Sequence, residues 1–326
     1  MTDAQTRPAG VLQFPPAGHG ATLTVADACD LYMAAYRGRD RTRPTYLAYW
    51  CELIGTLPLA ALDADRVAEA MATFAREPAR RYLGRDRSTN QPVWKPLGQR
   101  SPATLNRMRS ALSALMRFAK RRRLVPRGWT NPVLEVEALR EDNARTRFLS
   151  AQERERLLRA ARASRWPKLH LLITMAITTG ARRGELLGLT YGDLDLDAGV
   201  AYVRTSKNRE PRTLPLTPAV VAEIRRLGVK GADVRLFASR YDPGRPMDFD
   251  SVWTTALRLA GIQNFRFHDL RHTCASYLAQ SGASLVEIAD VLGHKQLEVT
   301  RRYAHLTVDH KRQLVARVLG NIGEAA

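Results

Sequence analysis

The sequence predicts a mainly α, α+β protein of two domains, with a small β hairpin in the second. Three observations carry this. Apolar residues recur at helical spacing, as in Val25, Ala28, Cys29, Leu31, Tyr32 and Ala35, and again in Leu105, Met108, Leu112, Leu115, Met116 and Ala119. One stretch alternates instead: Val200, Tyr202 and Arg204 lead to a turn at Lys207-Asn208-Arg209-Glu210, and a second strand returns over Arg212–Leu216. The length of 326 residues suits two domains, and a charged linker over 135–147 divides the two patterns.

Composition narrows the partner. Lys and Arg number 51 against 32 Asp and Glu, a formal net charge of +19, which points to a polyanion, nucleic acid before membrane. The longest strongly apolar run, Leu171–Ile177, is far short of the ~20 residues of a spanning helix. The N-terminus lacks a basic segment followed by an apolar run, so no secretory signal is predicted and the cytoplasm is expected. Cys29, Cys51 and Cys274 are scattered, which suggests neither zinc nor a disulfide framework.

Taken in order, residues 1–20, with Pro8, Pro15 and Pro16, read as a flexible tail. A helical domain spans 21–134. Thr24 caps its first helix, a second runs over Thr45–Ile54, and Asp63 or Asp65 starts a third that reaches Arg76. Segment 77–101 is polar, basic and rich in Pro and Gly, with Tyr82 and Trp94 interleaved. It reads as a long loop or a hairpin, either touching nucleic acid or mobile. Ser101 as N-cap and Pro102 at the first helical position open a helix that ends in Lys120-Arg121-Arg122-Arg123. Arg41, Arg43, Arg107, Arg109, Arg121 and Arg122 are the candidate phosphate contacts of this half.

The second domain spans 148–326. Ser150 and Glu153 form a capping box. The almost wholly apolar helix Leu169–Thr179 is predicted buried and stops at Gly180. Further helices follow from Pro218 to Leu227, from Asp250 or Ser251 to Ala260, and over Val308–Leu319, where Leu314, Val315, Val318 and Leu319 form an apolar face.

The chemistry concentrates late in the chain. His268 and Arg271 are three apart on a predicted helix and share a face, so both can point at one anion. Leu292-Gly293-His294 reads as a helix end that leaves His294 on a turn, and Tyr303 follows on a short helical run, Leu297–Tyr303. A tyrosine with two histidines and an arginine suggests a nucleophile with its stabilisers. Arg182 sits just past the Gly180 cap, at the end of a rigid element. On its own, Arg182 reads as a partner of Glu185, and Lys207 as a solvated turn residue.

These residues resemble the signature of the tyrosine recombinases, the phage integrase family. H-x-x-R stands as His268-Asp269-Leu270-Arg271, L-G-H as Leu292-Gly293-His294, and the tyrosine as Tyr303. T-G-x-R-x-x-E stands as Thr179–Glu185, with Tyr191-Gly192-Asp193 where the family often has Trp-x-Asp. The first half resembles the all-α core-binding (SAM-like) domain more loosely, including its Asn131-Pro132 close.

The resemblance implies a recombinase catalytic fold and a site-specific recombinase that joins DNA 3′-phosphate to tyrosine and passes through a four-way junction. It assigns Arg182, Arg271 and His294 to the phosphate, Tyr303 to attack, His268 to base or proton relay, Lys207 to the leaving oxygen and Glu185 to support. Arg183 is left to solvent or backbone, and His272 and His305 are read as structural. It implies no cofactor and no metal. The partners are double-stranded DNA bearing a recombination site, three further copies in a tetramer, and accessory DNA-bending proteins, at the nucleoid. Two rival readings are a type IB topoisomerase-like enzyme and an inactive DNA-binding protein. Formation of a covalent Tyr303–DNA adduct separates the second from an enzyme.

Overall fold

A computed structural model describes residues 23–86, 88–141, 147–204, 211–228 and 230–319. The chain forms two compact units, Met1–Asn143 and Ala144–Ala326. The tail read at 1–20, most of the central part of the 135–147 linker, and the turn carrying Lys207 lie outside the described residues.

Among its described residues the first unit is built on four α-helices, α1 (Val25–Ala35), α2 (Arg43–Ile54), α3 (Ala64–Arg76) and α4 (Pro102–Arg121). Their starts follow local chemistry. Thr24 and Asp27 form a reciprocal capping box, Asp63 accepts from Arg66 N at 2.9 Å, and Ser101 caps α4 ahead of Pro102. Pro44 lies in the first turn of α2, so that helix begins two residues before the expected Thr45. α4 is the axis of this core: Leu105, Met108, Leu112, Leu115 and Met116 are buried, and Trp50 of α2 donates its indole N–H to the Met108 carbonyl at 3.0 Å.

Segment 77–101 resolves as an antiparallel hairpin of β1 (Arg80–Arg85) and β2 (Pro92–Pro96). Its register slips between Tyr82 and Gly84, where Gly84 has φ +121°. The Asp86 carboxylate closes the turn by accepting from Ser88 N and Thr89 N.

The second unit holds α5 (Ala151–Arg162), α6 (Leu169–Thr179), α7 (Arg183–Gly188), β3 (Leu194–Asp195), β4 (Val200–Val203), β5 (Arg212–Pro215), α8 (Pro218–Arg226), α9 (Asp250–Leu259), α10 (Asp269–Gln280), α11 (Leu285–Leu292) and α12 (Val308–Leu319). The three strands make one antiparallel sheet in the order β3-β4-β5, so the expected hairpin gains a short third strand. α6 is buried nearly all round and packs on α5, α8 and α10. The core extends through Trp166, Phe237, Phe249 and Phe267. A smaller cluster of Cys274, Ala275, Ala279, Ile288 and Leu292 encloses Tyr303. The expected helical run over 297–303 is instead two 3-10 segments, Leu297–Val299 and Arg301–Thr307. No helix among the described residues is long and apolar enough to cross a membrane.

Trp50 tests the first core. Trp50→Ala should cost about 3–5 kcal/mol of unfolding free energy, because a wholly buried ring leaves a cavity. Trp50→Phe keeps most of the volume and should cost less. Urea denaturation of both variants checks the order.

Candidate active site

The site begins at the turn after α6. Gly180 adopts φ +60°, and a Cβ there would stand 2.4 Å from Leu292 Cδ2 and 3.2 Å from Cys274 Sγ. Only glycine lets α10 and α11 close this tightly on the turn. The Gly180 carbonyl accepts from Arg271 Nη1 at 2.7 Å, tying the end of α6 to the middle of the site.

Arg182 is the N-cap of α7. Glu185, three residues on, accepts from Arg182 N at 2.9 Å and from Arg182 Nη1 at 2.8 Å. The same carboxylate accepts from Arg212 Nη2, on β5, at 2.7 Å. Burial of Glu185 pushes its pKa up, but the bonds from Arg182 and Arg212 outweigh burial and hold it below the usual carboxylate value. Both arginines also reach the end of α11: Arg212 Nη1 donates to the Val291 carbonyl at 2.9 Å, and Arg182 Nη2 to the Gly293 carbonyl at 3.4 Å. Gly293, at φ +65°, ends α11 as the left-handed cap read from Leu292-Gly293-His294.

α10 supplies the next groups. His268 is its N-cap and Arg271 lies one turn in, 4 % exposed. Burial first, then the charges of Arg182 and Arg212, lower the Arg271 pKa to about 10. Arg271 Nη2 and Arg212 Nε are buried with no hydrogen-bond partner among the described residues. Buried donors without partners are rare, and these two lie in one cluster of three guanidiniums around a single carboxylate. The cluster therefore has an excess of positive charge and unspent donors, the two properties an anion site needs.

His294 bonds through Nδ1 to Thr300 Oγ1 at 2.8 Å, while its backbone N–H is held by the Ala289 carbonyl at 2.9 Å. Burial, followed by Arg271 and Arg182, lowers its pKa to about 4. Burial also lowers that of His268. Tyr303 is 3 % exposed, and burial raises its phenol to about 12 against the pull of Arg302 and Arg271. The structure thus brings Arg182, Glu185, His268, Arg271, His294 and Tyr303 into one cluster, while Lys207 lies outside the described residues.

Three placements add to or differ from the sequence reading. Arg183 is exposed, as the solvent reading expects, and it also pairs with Asp250 at 3.0 Å and lies 4.5 Å over the Phe249 ring. Arg212, read only as a strand residue, is a member of the site. His272, read as structural, bonds through Nδ1 to the Tyr303 hydroxyl at 2.5 Å. A usable signal was present, since His268 and His272 are four apart on one helix and must share a face. His305 is exposed.

The basic candidates of the first unit are placed unevenly. Arg41, Arg107, Arg121 and Arg122 are exposed. Arg121 and Arg122 line a groove of about 550 Å³ with Arg37, Tyr32, Tyr36 and Phe118. Arg43 is paired with Asp40 at 3.3 Å, and Arg109 Nε donates to the Val136 carbonyl at 2.6 Å. No group of three or more His, Cys, Asp or Glu among the described residues is arranged to hold a metal ion.

The buried histidines set a pH dependence. His272 and His294 have folded pKa values near 4, below the ordinary 6.5, so the unfolded chain binds more protons as pH falls. Their contribution is complete above about pH 6.5 and is lost progressively toward pH 4. Guanidinium unfolding at pH 7.0, 6.0 and 5.0, a window above most carboxylate titration, should show falling stability. His294→Gln should flatten the slope.

The sequence pattern of the phage integrase family matches residues 147–310. The chain is 28% identical over 233 residues to the integrase of Salmonella phage P22, covering 67% of this chain and 58% of that protein. It is 32% identical over 178 residues to the shufflon-specific DNA recombinase of Escherichia coli, covering 54% and 44%. Against these two relatives it therefore spans about half the relative's length. With tyrosine recombinase XerD of Caulobacter vibrioides it shares 32% identity over 289 residues, 79% of this chain and 93% of that one. In fold it is similar to the Tn1549 transposon integrase in complex with transposon right end DNA, at TM-score 0.69 and 20% identity, over 90% of this chain and 99% of the other. It is similar also to a lambda integrase tetramer bound to a Holliday junction, at TM-score 0.61 and 20% identity, over 85% and 79%. The chain belongs to the phage integrase family.

Proposed function

We propose that the protein is a site-specific DNA recombinase that cuts and rejoins strands through a 3′-phosphotyrosyl link. The observation that carries this reading is the cationic cluster of Arg182, Arg212 and Arg271, with buried donors that have no partner among the described residues, beside the hydroxyl of Tyr303. A phosphodiester repels nucleophiles by its charge. Fixed guanidinium donors neutralise it on its non-bridging oxygens and stay charged at any working pH. His294, neutral and tied to Thr300, adds a donor as negative charge grows in the transition state. His268, at the head of α10, stands beside Arg271 in the same wall.

Tyr303 attacks phosphorus, the bond to the 5′ oxygen breaks, and that oxygen leaves as a hydroxyl. Lys207 is its acid on the strength of the family resemblance. Bond energy stays in the tyrosyl ester, so a second 5′ hydroxyl can reverse the step on another strand. Repeated on paired sites, the exchange passes through a four-way junction, which requires four protomers on two duplexes. The lambda integrase tetramer on a Holliday junction, similar in fold, supports that assembly. The apolar residues Val315, Val318 and Leu319, exposed on α12, support contact with a neighbouring protomer.

The first unit, with the 135–147 segment as linker, is the core-site DNA-binding domain. Arg41, Arg107, Arg121 and Arg122 meet phosphates there, whereas Arg43 and Arg109 stabilise the unit itself. Accessory DNA-bending proteins and a place at the nucleoid accompany this function.

Tyr303→Phe should bind a recombination-site duplex like the parent and form no covalent adduct on a nicked suicide substrate, read on a denaturing gel. An adduct formed by the Phe variant would mean a different nucleophile. Arg182→Ala should slow adduct formation by at least about 100-fold, the order of one lost transition-state donor. Arg183→Ala, whose partner is Asp250, should leave it near the parent rate.

A further inference from the structure

We infer that His272 accepts the phenol proton of Tyr303 when the tyrosine attacks, the role that the family resemblance gives to His268. This rests on the recombinase reading above and adds to it the identity of the base.

The geometry is direct. His272 Nδ1 lies 2.5 Å from Tyr303 Oη, and the two rings are 6.0 Å apart. A phenol at neutral pH donates, so Nδ1 accepts and the imidazole carries its own proton on Nε2. His268 is one helical turn before His272, its ring 5.3 Å away and edge-on. It flanks the base. A base must reach the proton it removes, and among the described residues the imidazole bonded to the Tyr303 hydroxyl is that of His272.

The surroundings explain why this pair is inactive until DNA arrives. Burial, then His268, Arg302 and Arg271, oppose a charge on His272, and only Asp269 favours it. Arg302 and Arg271 favour the tyrosinate, while burial and Cys274 oppose it. The other elements against α10 bring His170 on α6 and Glu287 and Asp290 on α11, none of which is among the charges acting on the pair. A scissile phosphate seated on Arg182 and Arg271 brings negative charge beside these cations. It offsets the repulsion that keeps His272 neutral and so makes the imidazolium tolerable. Substrate binding thus turns a weak acceptor into a working base.

The step balances without a further reactant. Tyr303 Oη forms its bond to phosphorus as the proton passes to His272 Nδ1. The bond from phosphorus to the 5′ oxygen breaks, and that oxygen takes a proton from the acid assigned to Lys207. Religation runs the same transfers backwards, with His272 returning the proton to Oη.

The test is single-turnover adduct formation on a nicked suicide substrate by the full chain, from pH 6 to pH 9.5, for the parent, His272→Ala, His272→Asn and His268→Ala. Duplex binding and thermal unfolding run alongside. His272→Ala should be slower by about 100-fold or more at pH 7, with unchanged duplex binding. Its rate should rise about tenfold per pH unit, because hydroxide now removes the proton. His272→Asn keeps an acceptor near the Nδ1 position but cannot take up a proton, so it should remain as slow as the Ala variant. His268→Ala should not acquire the hydroxide-dependent rise, because His272 still takes the proton. The inference is overturned if His272→Asn recovers the parent rate, if the His272→Ala deficit is independent of pH, or if the hydroxide-dependent profile appears in His268→Ala instead. Should both His272 variants be unfolded at 25 °C, the pH profile of His268→Ala decides alone: a profile without the hydroxide-dependent rise supports His272, and the hydroxide-dependent profile overturns it. Failure of the recombinase reading looks different, since the parent itself would then form no adduct.

Discussion

The carboxylate of Glu185 holds the site together. It is 4 % exposed on its side chain and accepts from the backbone and guanidinium of Arg182 and from the guanidinium of Arg212. These bonds link the start of α7 to strand β5. The same two arginines continue to the carbonyls of Val291 and Gly293, fixing the end of α11 and hence the backbone that presents His294. Arg271 closes the circuit on the Gly180 carbonyl. Removing one partner from such a buried network leaves a charge uncompensated, a loss on the order of 3–5 kcal/mol. Rigidity of this kind serves transition-state recognition, because the donors need no reorganisation when the anion arrives.

Charge balance within the cluster ties this frame to chemistry. Three guanidiniums surround one carboxylate, and three imidazoles beside them are held neutral mainly by burial. Tyr303 is held protonated by the same burial. The described groups therefore leave the isolated site with an excess of positive charge. We read that excess as the place of a DNA phosphate, so that the substrate offsets part of it as well as occupying the site.

The sequence made the frame legible where local chemistry decides structure. Thr24, Ser101 and Ser150 mark helix starts through their own hydrogen bonds, and Gly180 and Gly293 mark helix ends through a left-handed backbone. The apolar run over Leu169–Thr179 matches α6 residue for residue because a helix buried nearly all round has no broad polar face to blur its ends. The strand Leu194–Asp195 was hidden, since two residues cannot show an alternation. So was the 3-10 geometry around Tyr303, which is set by packing onto α10 and α11. The place of Arg212 in the site is a tertiary fact: among 51 basic residues nothing local singles it out. His272 was the readable omission. Its spacing from His268 puts the two imidazoles on one side of α10, where His272 meets the Tyr303 hydroxyl.

The central claim is that Arg182, Arg271 and His294 surround one phosphate which Tyr303 attacks. The most direct measurement is a crystal structure of the chain with a nicked recombination-site duplex and orthovanadate, which mimics the five-coordinate transition state. The account predicts vanadium bonded to Tyr303 Oη, with guanidinium nitrogens of Arg182 and Arg271 and a ring nitrogen of His294 on its equatorial oxygens. Vanadium bound to another nucleophile, or equatorial oxygens met by neither arginine, would contradict it.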